Sequence, residues 1–232
     1  MIRREAWLPA DPSIHIKKTS FMQRIADRVR SGATHYIGGR TPLSRVPALV
    51  QKLAGRWPLN LSAMQASRRT KAGHATYYWI GWHDEENKVV HWFVLQKPGT
   101  TPDTEDTWKN ALDYRIGLTG YELVRHTRTG AKNPAWTWRY NKVRFEDIRA
   151  GLIADIRGRR DLLAQQAVHS MFRSPGFAGV REQVKRLRAL CISEWKRSRK
   201  ENEPMFEIPP TIGYVRRLRD TEQRWSQLTK PI

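Results

Sequence analysis

The sequence predicts an α+β fold: an antiparallel sheet with helices on one face, followed by a basic helical C-terminal region. Three observations predict it. Two β-rich runs flank the polar turn DEENK between His74 and Lys97. Apolar residues recur at helical spacing on either side of that hairpin. Beyond Lys142 the pattern is wholly helical. At 232 residues the chain is long enough for one large or two small domains, and an apolar fraction of 39% with ten tryptophans marks it as folded.

Residues 1–18 are polar, carry two prolines and show no clean period, so they read as an arm. A first helix follows, capped by Ser20, with Phe21, Ile25 and Val29 inward and Gly32 at its end. THYI (34–37) is a short strand before Gly38-Gly39. Thr41-Pro42 opens a second helix, with Leu43, Val46, Val50 and Leu53 toward the core, which stops at Gly55. The basic segment 60–74, helical at most in its first half, delivers Arg68, Arg69 and Lys71 to the central hairpin.

Within the hairpin, side-chain alternation puts Tyr77, Trp79 and His83 on one face and Tyr78, Ile80 and Trp82 on the other. Val89, His91, Phe93 and Leu95 share a face of the second strand, opposite Val90, Trp92 and Val94. Lys97-Pro98-Gly99 breaks the chain, and residues 100–114 read as a helix capped by Thr101 or Thr104. A second hairpin pairs YELVRHTR (121–128) with AWTWRYN (135–141). It sets Trp136, Trp138 and Tyr140 on one face, among Arg125, His126, Arg128, Lys132 and Arg139.

Phe145, Ile148, Leu152 and Ile156 then form one helical stripe, and Val180, Val184, Leu187, Cys191 and Trp195 another. Lys185, Arg188, Lys196 and Arg199 stand opposite the second stripe. The order β–α–β–β–α–β up to residue 128 is that of a ferredoxin-like, RRM-like sheet with one open face. The expected domains are an arm (1–18), the ferredoxin-like domain (19–141), a basic helical region (142–200) and an extended basic tail (201–232).

Charge points to the partner. Lys and Arg number 42 against 22 acids, a formal +20 with a pI near 10.7. A chain this basic works against a polyanion, here nucleic acid, DNA or RNA. Trp79, Trp92, Trp136 and Trp138 are the expected stacking platforms for single-stranded or structured bases. Phosphate contacts are expected from Arg68, Arg69, Lys71, Arg125, Arg128, Lys132, Arg139 and the basic face of 181–200. His126 lies among them. SPGFAG (174–179), followed by the Arg/Lys-rich helix, suits a helix-turn-helix. Heavily basic flanks also suit a chain that joins other protein subunits of a nucleoprotein complex.

The sequence also excludes. A single cysteine rules out an internal disulfide and a multi-cysteine zinc site. The N-terminus lacks an apolar signal segment, and no apolar run is long enough to span a membrane, so a cytoplasmic protein without membrane contact is expected. No Walker-type loop, G-x-S-x-G elbow or paired CxxC is present, and no cofactor or metal is expected.

The run from TPLSRVPALVQKLAGRWPLN through YYWIGWHDEENKVVHWFVLQKPG resembles the replication-protein domain of filamentous phages and related prophage or plasmid elements (YagK/YfjJ-type), over about residues 42–140. The resemblance implies a rolling-circle replication or mobilisation fold that handles single-stranded DNA, and hence a mobile genetic element. It also implies chemistry that needs two metal-holding histidines on one strand face and a tyrosine nucleophile. His91 takes the first histidine position and Phe93 stands at the second, while Tyr114 and Tyr140 are the nearest tyrosines. The expectation is a protein that binds without cutting. His91 and His83 are the catalytic candidates, with Asp84 or Glu85 beside them in the turn. A metal-independent RNA endonuclease, or an RNA-binding subunit of a CRISPR-type ribonucleoprotein, is the alternative, with His35, Tyr36, His74 or His126 as acid or base.

Overall fold

The computed structural model describes residues 9–59, 61–101, 107–127, 130, 132–217 and 222–229. The chain divides into two compact α+β units: Met1–Tyr114 with Arg217–Ile232, and Arg115–Arg216.

The first unit contains β1 (Ser13–His15), α1 (Lys18–Arg30), β2 (His35–Pro42), α2 (Val46–Arg56), α3 (Ala63–Lys71), β3 (Thr76–Asp84), β4 (Val89–Lys97) and β5 (Lys109–Asn110). The tail returns to it as β9 (Glu222–Arg224) and α7 (Trp225–Leu228). Six strands form one mixed sheet in the order β5-β2-β4-β3-β1-β9. β1 runs parallel to β3, and every other neighbouring pair is antiparallel. The central hairpin pairs along its whole length, from Thr76 opposite Lys97 to Asp84 opposite Val89.

Both faces of this sheet are covered, which corrects the expectation of an open aromatic face. Tyr77, Trp79, Val90 and Val94 pack with Val46, Val50 and Leu53 of α2 and with Trp57. On the other face Phe21 of α1 meets Trp82 at 6.2 Å and Phe93 at 6.0 Å between ring centroids. A hairpin apolar on both sides buries its surface only if each side has its own helix.

Several boundaries also differ. β2 continues through Gly38-Gly39 to Pro42 because the two glycines make room for aromatics of β4. A Cβ on Gly38 would run into the Phe93 ring, and one on Gly39 would press on the Trp92 indole. α2 therefore starts later than expected, after a 3-10 turn at Leu43–Arg45, with Pro47 in its first turn. α1 starts at Lys18, leaving Ser20 buried inside the helix rather than capping it; Gly32, at φ +97°, follows the helix end.

The helix expected over 100–114 is absent from its described part, while Thr104 lies outside the described residues. Trp108 is drawn into the core beside Trp57 (4.9 Å) and Tyr77 (5.7 Å). The Asn110 side chain accepts a hydrogen bond from the Leu112 N–H at 3.0 Å, a local turn that competes with helix. The tail is not extended at 222–228: the Trp225 indole donates to the Leu43 carbonyl at 2.8 Å, and β9 closes the sheet against β1.

The second unit holds β6 (Gly117–Leu118), β7 (Tyr121–His126), β8 (Ala135–Tyr140), α4 (Lys142–Arg157), α5 (Asp161–Phe172) and α6 (Ala178–Ser198). β6, β7 and β8 make a separate antiparallel sheet, so the second hairpin does not extend the first sheet. Its apolar residues are used by its own helices. Gly179 sits so close to the Trp138 carbonyl that a Cβ there would be 2.7 Å from it. Gln183 both accepts from the Tyr140 N–H (2.7 Å) and donates to its carbonyl (3.1 Å).

Asn141 caps α4 by accepting from the Arg144 N–H at 2.9 Å. Leu152 and Ile156 of α4 are buried, as are Val180, Val184, Leu187, Cys191 and Trp195 of α6. Burial pushes the Cys191 thiol up to about 11, so it is an unreactive core group. Among the described residues no helix is long and apolar enough to cross a membrane.

Candidate nucleic-acid interface

The four tryptophans expected to stack bases are committed differently. Trp138 is fully buried, and Trp79 is buried with its indole donating to the Ser13 carbonyl at 3.2 Å. Trp92, half-buried, stacks on Trp79 at 5.9 Å, and its indole N–H finds no acceptor among the described residues. These three are core residues. Trp136 is different: half-buried, it lies directly opposite the exposed Arg125 on the neighbouring strand, near the hairpin tip where Lys132 is also exposed. Arg128 lies outside the described residues.

The basic residues separate by type. In the second unit Glu122, Glu146, Asp155, Asp161, Glu182, Glu194 and Glu203 each hold at least one arginine. Arg139 is tied to Glu122 at 2.7 Å, and His126 to Glu182 at 2.6 Å. Arg188 donates to the Pro209 carbonyl at 3.1 Å, fastening the segment after α6. The Arg199 side chain is 1% exposed and binds the Asp161 carboxylate and, at 2.7 Å, the Ile156 carbonyl. Arg139, Arg188 and Arg199 thus act within the fold, where a fixed fork of donors matches carboxylates and carbonyls.

The lysines do the opposite. Lys132, Lys142, Lys185, Lys196 and Lys200 are all exposed, and none is ion-paired to an acid among the described residues. On α6, Lys185, Ala189, Ser193 and Lys196 share one exposed stripe at helical spacing. Two small residues between two lysines make this face flat as well as positive. The His126–Glu182 pair ties the hairpin tip to α6 about one turn before Lys185. α5, the intervening turn and α6 also supply the helix–turn–helix order expected from the sequence.

In the first unit α3 buries none of its residues. It is held by a capping box in which the Gln65 N–H donates to Ser62 Oγ and the Ser62 N–H to Gln65 Oε1. Met64, Arg68 and Lys71 follow one another along an exposed stripe. Arg69 turns inward and donates to the Ala75 carbonyl at 3.3 Å, so of the three basic residues it is the structural one.

His83 and His91 fall on opposite faces of the sheet: His83 stands opposite Val90, and His91 opposite Trp82. They do not form a pair. His91 is instead paired with Asp84, its Nε2 lying 3.4 Å from the carboxylate. Burial pushes the Asp84 carboxyl up, but hydrogen bonds from the Asn87 side chain (2.9 Å) and backbone, with His91, hold it below its ordinary value. For His91, burial outweighs the Asp84 carboxylate; Arg40 and Lys18 add to burial, and the imidazole is held below its usual range. Among the described residues no group of three His, Cys, Asp or Glu is placed to hold a metal ion.

Tyr140 is buried with its hydroxyl donating to Ser174 at 2.6 Å, while Tyr114 is 63% exposed. Arg40 and Lys18 were not among the residues expected at a site. The signal that would have found Arg40 is the pairing of β2 with β4, hidden by ending the strand at Ile37. Comparison with protein-family models, curated proteins and solved structures gives no match.

Proposed function

We propose that this chain binds nucleic acid, single-stranded or structured, through exposed lysines and a small number of exposed arginines, without catalysis. The observation that carries it is the separation of cations in the second unit. Seven acids there hold arginines, while the lysines stand exposed and without an acidic partner among the described residues. Surface positive charge that the fold leaves without counter-charge is what a phosphate backbone displaces counterions to reach. The Arg125–Trp136 pair, with Lys132, adds one place where a base stacks beside a phosphate contact. Other protein subunits would then share the same nucleic acid.

A mobile-element setting (replication, mobilisation or defence) draws on the sequence resemblance. It is supported by one feature of the first unit: β2 and β3 are parallel with β4 between them, the split arrangement a ferredoxin-like sheet requires. A second reading, metal-independent RNA cleavage or RNA binding within a CRISPR-type ribonucleoprotein, is favoured by the Asp84–His91 pair.

The test is a combined shift and cleavage assay on labelled single-stranded DNA, duplex DNA and hairpin RNA, with EDTA and with magnesium or manganese. Binding without product is the expected result. Hairpin RNA cleaved in EDTA supports the second reading, and failure to bind any of the three refutes both.

A further inference from the structure

Five strands of the first unit each place one residue in a row across the α1-facing side of the sheet. These are Arg40 on β2, His91 on β4, Trp82 on β3, His15 on β1 and Glu222 on β9. The row is graded in charge. At the β9 end His15 Nε2 lies 3.3 Å from the Glu222 carboxylate, so that end carries an acid. At the β2 end Arg40 is exposed, and among the described residues no acid is ion-paired with it.

The middle of the row is shaped by aromatics. His91 stacks on Trp82 at 5.0 Å with 21° between the planes. Lys18, the first residue of α1, brings its ammonium 5.6 Å from the centre of the Trp82 ring. Asp84 lies on the same face, its side chain 8% exposed, and its oxygens are engaged by Asn87 and His91. A carboxylate engaged in this way orients the imidazole through Nε2 and leaves Nδ1 for a ligand.

We propose that Arg40, His91 and Lys18 form a phosphate-binding site, and that His91 takes up a proton as the anion enters. Its ligand, a phosphate of a nucleic-acid strand, rests on the function proposed above; its chemistry does not. A guanidinium fork engages two phosphate oxygens, Lys18 adds a point charge, and the imidazolium supplies a third donor. The groups that face His91 are Arg40 from β2, Trp82 and Asp84 from β3, Asn87 from the turn and Lys18 from α1, with His15 and Glu222 further along the row. An anion placed between the cations reverses their effect on the ring and favours its charged form.

The experiment follows the His91 imidazole by NMR in the full chain, titrating pH with and without inorganic phosphate. Parallel samples contain an oligothymidylate with a 5′-phosphate or a 5′-hydroxyl, and binding is read by fluorescence anisotropy. Phosphate is expected to raise the His91 midpoint by about one pH unit. Arg40→Gln, at an exposed position, is expected to keep the fold and abolish that rise. A midpoint unmoved by saturating phosphate overturns the site, as does an equal rise in Arg40→Gln. A response only to the 5′-phosphorylated strand identifies a strand end as the ligand, and a response to both strands identifies the diester. Oligonucleotide binding with a silent His91 refutes the site and leaves the proposed function standing. A phosphate response without oligonucleotide binding does the reverse.

Discussion

Replacing Lys185 and Lys196 together with alanine removes the two charges of the α6 stripe while leaving its buried face intact. They are eleven residues apart, which at 1.5 Å per residue is about 16 Å along the helix, roughly five nucleotides of one B-form strand. Each is exposed and without an acidic partner among the described residues, so neither change breaks an ion pair of the fold. If each lysine neutralises one phosphate, the slope of log K against log salt falls by about 0.9 per residue on duplex and about 0.7 on single strands. At 0.1 M salt the same exponents give an affinity loss of about 60-fold on duplex and about 25-fold on single strands. The assay is anisotropy with a labelled oligonucleotide across a salt series, with urea unfolding of the same variant as a control on stability. A wild-type slope in a stable double variant refutes the assignment of α6 to the phosphate backbone. A loss of affinity with no change in slope refutes the counterion argument behind it.

Four further outcomes are expected. Arg68→Ala with Lys71→Ala lowers the salt slope at unchanged stability, whereas Arg69→Ala, which breaks the bond to the Ala75 carbonyl, lowers stability and spares the slope. Arg199→Ala removes side-chain hydrogen bonds to the Ile156 carbonyl and the Asp161 carboxylate and costs about 1–3 kcal/mol in urea unfolding, with no change in the salt slope of the folded protein. Gly38→Ala forces a methyl into the Phe93 ring and to 2.8 Å from the Trp92 carbonyl, and costs about 1–3 kcal/mol by the same measurement. Because folded His91 lies below its ordinary value, the unfolded chain binds that proton first as pH falls. Stability from neutral His91 is full above about pH 6.5 and declines below it, by at most about 1.4 kcal/mol per pH unit, and His91→Gln flattens that decline.

Local patterns were legible wherever one periodicity ran unopposed. The stripes of α4 and α6, the full pairing of β3 with β4 and the turn between them follow from spacing alone. The glycines of β2 were misleading for a physical reason. Their missing side chains normally weaken a strand, but here the rings of Phe93 and Trp92 fill the space, and those rings come from a strand far along the sequence. Residues 100–114 carried good helix-start signals, yet Trp108 gains more by entering the Trp57–Tyr77 cluster than a surface helix would return.

For the site the division is sharper. Composition established that positive charge is in excess, and alternation established that the hairpin is apolar on both faces. It did not show that both faces are covered, because a covering helix is chosen by packing across the chain. Nor did it separate working cations from structural ones: Arg199 and Lys196 look alike in the sequence, but one is wrapped by Asp161, Glu203 and Trp195 and the other meets solvent. The sequence by itself determined the amounts of charge and apolar surface and their local spacing. Only the tertiary structure decided which charges were neutralised and which histidine met which acid, since those pairings depend on register and on burial rather than on neighbours along the chain.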